Sequence, residues 1–297
     1  MKYGNWTMGE TEALINILGG QRRALDILGG QLEVEVREAS TKLFDKHGRC
    51  IPRNLKSEVC DSDRNIRLNQ PEIATETDYA NRILRLHSSM GIDTGITCFE
   101  FKRETERLLA LIRDSIRTAN IFNGVWFPII LPKWKGTRGL GTVLESQYLK
   151  AVGKSYEKVF PKRTFCNCEK FFVNKVFISS SSRHHCLIER MEREAVIGIY
   201  FPTALQGYSV DASQECIASL PEGFILSGLD AIIAMIMYPD ILARDENTPC
   251  LDLSALFWKD SDCSLFFKAH DDKLEFNSSF RQRDAHARGS SGLLFIG

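Results

Sequence analysis

The amino-acid sequence predicts a three-layer α/β fold: a mainly parallel sheet with helices on both faces, an N-terminal helical hairpin and C-terminal antiparallel strands. The first observation is the stretch 171–202, where an apolar run, a polar turn, an amphipathic segment and a β-branched run follow one another. That order is typical of a βαβ unit, which places two parallel strands beneath a helix. The second observation is that short capped helices and apolar runs continue to alternate as far as Pro239.

The N-terminal 40 residues form the first predicted region. Thr7 and Glu10 have the spacing of a capping box, in which the side chain of each satisfies a free backbone N–H of the other. The sequence Ile-Leu-Gly-Gly occurs at 17–20 and again at 27–30, which predicts two short helices with glycine C-caps. Period-two alternation over 32–36 then predicts a short strand.

The remaining chain divides into a connection and a large domain. Residues 41–75 are polar and lack a steady period, which predicts a long irregular connection. Residues 76–297 carry the α/β pattern, and the character of the pattern changes at about residue 250. From there an antiparallel meander is predicted from short strand-like runs at 253–258, 264–269, 273–276 and 293–296.

Composition excludes several functional classes. The 297 residues are 43% hydrophobic and carry 38 basic and 38 acidic side chains, so there is no global electrostatic case for nucleic acid or an anionic membrane. Nine scattered cysteines without a signal segment indicate reduced thiols in a cytoplasm. The longest apolar run, 231–238, is too short to span a bilayer, so no membrane segment is expected.

Several motifs together resemble one protein family. They are Trp6-Thr7-Met8-Gly9-Glu10, Leu18-Gly19-Gly20, Val125-Trp126-Phe127-Pro128-Ile129, Ser182-Arg183-His184, Gly198-Ile199-Tyr200-Phe201-Pro202 and Ala234-Met235-Ile236-Met237-Tyr238-Pro239-Asp240. Over almost the whole chain this set resembles a family of bacterial hypothetical proteins of about this length, found in uncultured bacteria. The resemblance implies a complete natural protein of a bacterial cytoplasm. It implies no activity, cofactor or site residue.

The predicted sheet selects where a ligand would bind. In open α/β sheets, ligands bind outside the carboxyl ends of the parallel strands, where the loops into the following helices converge. Here that rule selects the loops 132–141, 179–184, 202–209 and 227–230.

Two of these loops have the residues that an anion requires. Serine hydroxyls at a helix start, followed by an arginine, offer donors where free N–H groups already favour negative charge. A glycine-rich basic loop could fold over the same position. The alternative is that the serines only cap a helix and that the basic side chains lie in water. The candidate anion-binding residues are Ser179, Ser180, Ser181, Ser182, Arg183, Lys133, Lys135 and Arg138.

His184 is the candidate catalytic residue, because imidazole titrates near neutral pH and this ring would lie at the same helix start. The alternative interpretation is a surface or packing histidine. Zinc-ligand residue types also occur together, because Cys166 and Cys168 are followed by His184, His185 and Cys186. One residue between the cysteines does not match the usual zinc-ligand spacing, so no metal is predicted.

These observations favour binding of an anionic small molecule, a nucleotide or a sugar phosphate, at the carboxyl edge of the sheet. A transferase or hydrolase activity stays open, and the sequence assigns no cofactor. The alternative is a non-enzymatic regulatory or interaction protein whose N-terminal hairpin contacts DNA or a protein partner. Arg22 and Arg23 would then contact phosphates, although Asp26 beside them leaves only a thin basic face.

Overall fold

The computed structural model describes residues 7–34, 41–134, 139–258, 263–279 and 282–297. The chain divides into two compact units, Met1–Thr41 and Lys42–Gly297. In the described residues no helix is long and apolar enough to cross a membrane.

The smaller unit is a pair of short helices, α1 (Met8–Ile17) and α2 (Gln21–Leu28). The Glu10 N–H donates to the Thr7 hydroxyl at 3.2 Å, and the Thr7 N–H donates to the Glu10 carboxylate at 2.8 Å, which closes the predicted capping box. Neither helix buries a residue. Of the predicted strand over 32–36, residues 32–34 have no strand structure and the others lie outside the described residues.

The larger unit begins with a segment, residues 42–75, that contains no helix or strand and only two isolated bridges. The helices that follow are α3 (Glu76–Met90), α4 (Cys98–Arg113), α5 (Leu140–Val143), α6 (Leu149–Val159), α7 (His184–Arg193), α8 (Val210–Ile217), α9 (Leu229–Met237) and α10 (Pro239–Leu242), with 3₁₀ turns at Ala119–Asn123 and Ser180–Ser182 and a π turn at Leu144–Tyr148. The strands are β1 (Phe127–Leu131), β2 (Thr164–Asn167), β3 (Val176–Ile178), β4 (Val196–Gln206), β5 (Phe224–Leu226), β6 (Cys250–Trp258), β7 (Ser264–Ala269), β8 (Lys273–Ser279) and β9 (Gly289–Phe295).

The described strands form one nine-stranded sheet in the order β1-β4-β9-β6-β7-β8-β2, with β3 paired to β6 and β5 paired to β9. Only the β2–β8 and β6–β9 pairs are parallel, and the other six pairs are antiparallel. The prediction of a mainly parallel sheet is therefore wrong. The reason is that β3 and β4 flank α7 along the chain but are not neighbours. Instead, β3 pairs antiparallel with β6, while β4 lies between β1 and β9.

Apolar side chains cover the two faces of the sheet to different extents. The first core packs α3, α6 and α9 against one face, which includes Leu253, Leu265 and Phe276. The second core packs residues of α4 and α8 against the opposite face, but only over β4, β5, β9 and Ala255 of β6. On β7 and β8 this second face carries no core residue. The part of the sheet that the described residues leave uncovered is where the candidate site lies.

Candidate functional site

A cavity of about 660 Å³ opens on this uncovered face of the sheet. Its floor is formed by β6 and β7, and its walls come from the segments before β6 and before β9. We call this cavity the β6–β7 cleft. Its polar or ionisable lining residues are Tyr208, Glu246, Thr248, Cys250, Asp252, Ser264, Lys268, His270, Ser279, Asp284, His286 and Arg288.

Asp252 is placed in the cleft by the alternation of β6. Leu251 and Leu253 point into the first core, so Asp252 between them faces the opposite side. It pairs with Phe266 of β7 on one side and with Ser291 of β9 on the other. The side chain is half-buried, and the described residues offer it no hydrogen-bond or ion-pair partner. Burial alone raises the pKa of this carboxyl to about 7.

Cys250 lies on the same face of β6, two residues before Asp252. Burial raises the pKa of its thiol to about 11, and the Asp252 carboxylate acts in the same direction. Lys268 and Arg288 are close enough to oppose this shift without reversing it. At neutral pH the Cys250 thiol is therefore protonated and is a poor nucleophile.

The two cations beside Cys250 are not neutralised by carboxylates of the described residues. Lys268 lies opposite Glu275 in the β7–β8 ladder. Glu275 is already engaged, because its carboxylate lies 2.7 Å from Lys273 Nζ and 3.3 Å from His270 Nε2. The Arg288 guanidinium donates to a backbone carbonyl, that of residue 246.

His286 is an exposed residue at the wall of the cleft. Its Nδ1 accepts the backbone N–H of Arg288 at 3.1 Å, so in the neutral ring the proton lies on Nε2. His270 and His286 thus bring two imidazole rings to a cavity that also contains the unpartnered carboxyl of Asp252.

The predicted serine loop is folded as a single 3₁₀ turn, with Ser179 and Ser182 buried. The Ser182 hydroxyl donates to the Ser179 carbonyl at 2.6 Å and accepts the His184 N–H at 3.2 Å. Ser180 and Ser181 are exposed. Two of the four hydroxyl-bearing residues are therefore directed into the protein.

Arg183 holds the chain segment that precedes β5. Its guanidinium donates to the carbonyls of Leu220, Pro221 and Phe224 at 3.0, 2.7 and 3.1 Å. Its backbone has a φ of 59°, in the left-handed region. These contacts account for Arg183 without a ligand.

Of the basic loop, Lys133 is exposed, and Lys135 and Arg138 lie outside the described residues. The anion site over these two loops stays a prediction.

His184 is fully buried and does not line the β6–β7 cleft. Its Nε2 accepts the Leu229 N–H at 3.3 Å, and its Nδ1 lies 3.4 Å from the Leu226 carbonyl oxygen. Burial lowers the pKa of this imidazole to about 4, so the ring is uncharged at neutral pH. The contacts of His184 are those of a packing histidine, and its role as an acid–base catalyst stays a prediction.

Among the described residues, no group of three or more histidine, cysteine, aspartate or glutamate side chains is arranged to hold a metal ion. Cys166, Cys168, His184, His185 and Cys186 are all described, so they form no such group together.

In comparisons with known proteins, the chain matches no family model, no curated protein and no solved structure. Sequence reasoning missed Asp252 because the predicted strand began at residue 253. The available signal was the sequence Cys250-Leu-Asp-Leu-Ser254, in which polar and apolar residues alternate directly before that strand.

Proposed function

We propose that the β6–β7 cleft binds a small anionic molecule, such as a sugar phosphate or a nucleotide, and that Asp252 exchanges a proton with it. The observation that carries this proposal is the Asp252 carboxyl, which has no hydrogen-bond or ion-pair partner among the described residues, in a cavity of about 660 Å³. Cavities of roughly 300–1,000 Å³ are typical of small-molecule sites. Strongly shifted titratable groups in a cleft are typical of functional sites.

The pKa of Asp252 supports the proton-exchange part of the proposal. Since burial raises this pKa to about 7, the protonated and ionised forms are both populated near neutral pH. A group in that condition donates a proton to a ligand or accepts one from it at little cost. A carboxyl already held in an ion pair would lack this ability, because its ionised form would be strongly favoured.

The two cations support the anionic part of the proposal. Lys268 and Arg288 both act on the Cys250 thiol, and neither forms an ion pair with a described carboxylate. Because alternate residues on a strand face the same side, the Cys250 and Asp252 positions are separated by about 6–7 Å. A ligand with an anionic group beside Cys250 and a hydroxyl beside Asp252 would span that distance, as a sugar phosphate does.

A thermal-shift titration tests this function. The wild type and Lys268→Ala are compared at pH 7 with inorganic phosphate, sugar phosphates and nucleotides, since a ligand that binds only the folded state raises its melting temperature. Lys154→Ala is the matched control, because Lys154 is an exposed lysine of α6 outside the cleft. We expect one ligand class to stabilise the wild type and the control, with a much smaller shift for Lys268→Ala.

Arg183→Ala separates this proposal from the predicted serine-loop site. Its ligand-induced shift should equal that of the wild type, because Arg183 does not line the cleft. A shift that Arg183→Ala abolishes and Lys268→Ala preserves would contradict the proposal and support the serine loop.

A further inference from the structure

Phe266 is an aromatic side chain on the floor of the β6–β7 cleft that belongs to neither apolar core. Leu265 and Phe267 on either side of it are buried in the first core, so the alternation of β7 directs Phe266 to the opposite face. The side chain is half-buried, and no other ring and no cation of the described residues packs against it. Part of the phenyl ring therefore faces the cavity as an apolar surface.

Asn277, Phe266 and Asp252 form a row across three neighbouring strands. Phe266 lies opposite Asp252 in the β6–β7 ladder and opposite Asn277 in the β7–β8 ladder. Neighbouring strands are about 4.8 Å apart, so the row extends over about 10 Å. The Asn277 side-chain oxygen accepts the Ser278 N–H at 2.8 Å, and its amide nitrogen donates to no described residue. The row thus offers a hydrogen-bond donor, an aromatic face and a carboxyl, in that order.

We propose that Phe266 stacks on the base of a bound nucleotide, which makes the preferred ligand of the cleft a nucleotide and not a sugar phosphate that lacks a base. This inference rests on the proposed function of the same cleft. With the base on Phe266 and one of its edges beside Asn277, the ribose would lie beside Asp252. The phosphate would then lie near Lys268 and Arg288, where the proposed function places the anionic group.

A flat base uses the Phe266 ring in a way that a sugar does not. Aromatic rings attract each other in offset-stacked arrangements beyond the contribution of the buried area. A nucleobase has such a face and also carries donors and acceptors at its edges, one of which the Asn277 amide nitrogen would bond. Stacking of one base on an aromatic side chain changes affinity by about 5-fold to more than about 100-fold. The base should therefore add measurably to the affinity of the sugar and phosphate.

Isothermal titration calorimetry of the full-length protein at pH 7 tests this inference with two probes, adenosine 5′-monophosphate and ribose 5-phosphate. The probes share the sugar and the phosphate and differ in the base. We expect the wild type to bind the nucleotide at least about tenfold more tightly. Phe266→Leu keeps an apolar side chain but removes the aromatic face. It should lose most of this preference and bind ribose 5-phosphate as the wild type does, which also shows that the variant is folded.

Phe177→Leu is the matched control, because Phe177 is an exposed phenylalanine of β3 that does not line the cleft. It should bind both probes as the wild type does. A preference for the nucleotide that Phe266→Leu retains would overturn the role of Phe266. Equal affinities of the wild type for the two probes, both weakened by Lys268→Ala, would overturn the nucleotide assignment and leave the proposed anion site standing. Binding of neither probe would overturn both proposals.

Discussion

Asp252 on β6 lies directly opposite Phe266 on β7, and both residues line the same cavity. Leu251 and Leu253 on either side of the carboxyl are buried in the first core, so the strand itself fixes the direction of Asp252. The pKa of about 7 shows that the ionised form is disfavoured in the folded protein. The free-energy cost of ionising Asp252 in the folded protein is measurable as a dependence of stability on pH.

Asp252→Asn should gain stability relative to the wild type as the pH rises. The pKa of Asp252 is raised in the fold from 3.8 to about 7, so the unfolded chain loses this proton first and wild-type stability falls across that interval. Between pH 5 and pH 8 we expect the variant to gain about 2 kcal/mol, less than the full shift because the side chain is only half-buried. Urea unfolding at several pH values measures this difference.

A matched aspartate makes the comparison specific. Asp271→Asn is the control, because it removes a carboxylate from the exposed turn between β7 and β8. If the free energy of unfolding of Asp252→Asn differs from that of the wild type by the same amount at every pH from 5 to 8, burial does not shift the pKa of this carboxyl.

His184→Gln should have the opposite pH dependence. The pKa of His184 is lowered in the fold from 6.5 to about 4, so on acidification the unfolded chain takes up the proton first and the wild type loses stability. The variant has no such proton to bind. Its stability deficit relative to the wild type should shrink by about 2–3 kcal/mol between pH 7 and pH 4.5.

The corresponding control is His47→Gln, because the His47 side chain is exposed. Chemical denaturation at each pH gives the free energies of unfolding. A deficit for His184→Gln that is equal at both pH values would contradict the buried, uncharged state of this imidazole.

Arg183→Ala should destabilise the larger unit by at least about 2 kcal/mol, because three backbone carbonyls lose a charged donor. Arg193→Ala is the control. Within the described parts of the chain its guanidinium bonds only the carbonyl one turn earlier on the same helix, and its loss should cost less than about 0.5 kcal/mol. Equal midpoints of urea unfolding for the two variants would contradict the structural role of Arg183.

Gly141→Ala should be strongly destabilising, because a Cβ at this position would lie 1.8 Å from the Phe172 carbonyl oxygen. The backbone there cannot withdraw freely, since the Phe172 N–H donates to the Glu145 carboxylate at 3.1 Å. We expect a loss of about 3 kcal/mol or more. At Gly139 the nearest atom to a Cβ would be 3.9 Å away, so Gly139→Ala should be tolerated. A thermal-unfolding comparison in which both variants resemble the wild type would refute the close approach.

Local features of the fold could be predicted from the sequence. The capping box predicted at Thr7 is present. The strands β6, β7 and β8 pair antiparallel in chain order, as the C-terminal alternation predicted. The predicted strand at 293–296 does not extend this meander, because β9 pairs parallel with β6. These features depend on neighbours within a few residues, which is the information that a periodic pattern carries.

The sheet topology could not be predicted in the same way. Strand β4 is apolar on both sides because the first core packs on Tyr200 and the second core on Ile199 and Phe201. A strand buried on both faces has the continuous apolar run typical of parallel sheets. No feature of the β4 sequence indicates that this strand pairs with β9.

The partners of the candidate site residues could not be predicted from the sequence for a related reason. Arg183 and His184 have the residue types that anion binding and proton transfer require, but their partners are backbone groups near Leu220 and Leu229. Those groups are distant in the sequence and carry no residue-specific signal. Asp252 has an ordinary alternating context, and its position lies in a cleft because the second core of the described residues does not extend over this part of β6 and β7.

The most direct test of the proposed site is the titration of the Asp252 side-chain carboxyl by carbon NMR, assigned with Asp252→Asn. Without ligand we expect a pKa of about 7. With the stabilising anion bound we expect a higher value, because a nearby negative charge disfavours ionisation. A pKa near 4, unchanged by that anion, would contradict both the buried state of Asp252 and its contact with the ligand.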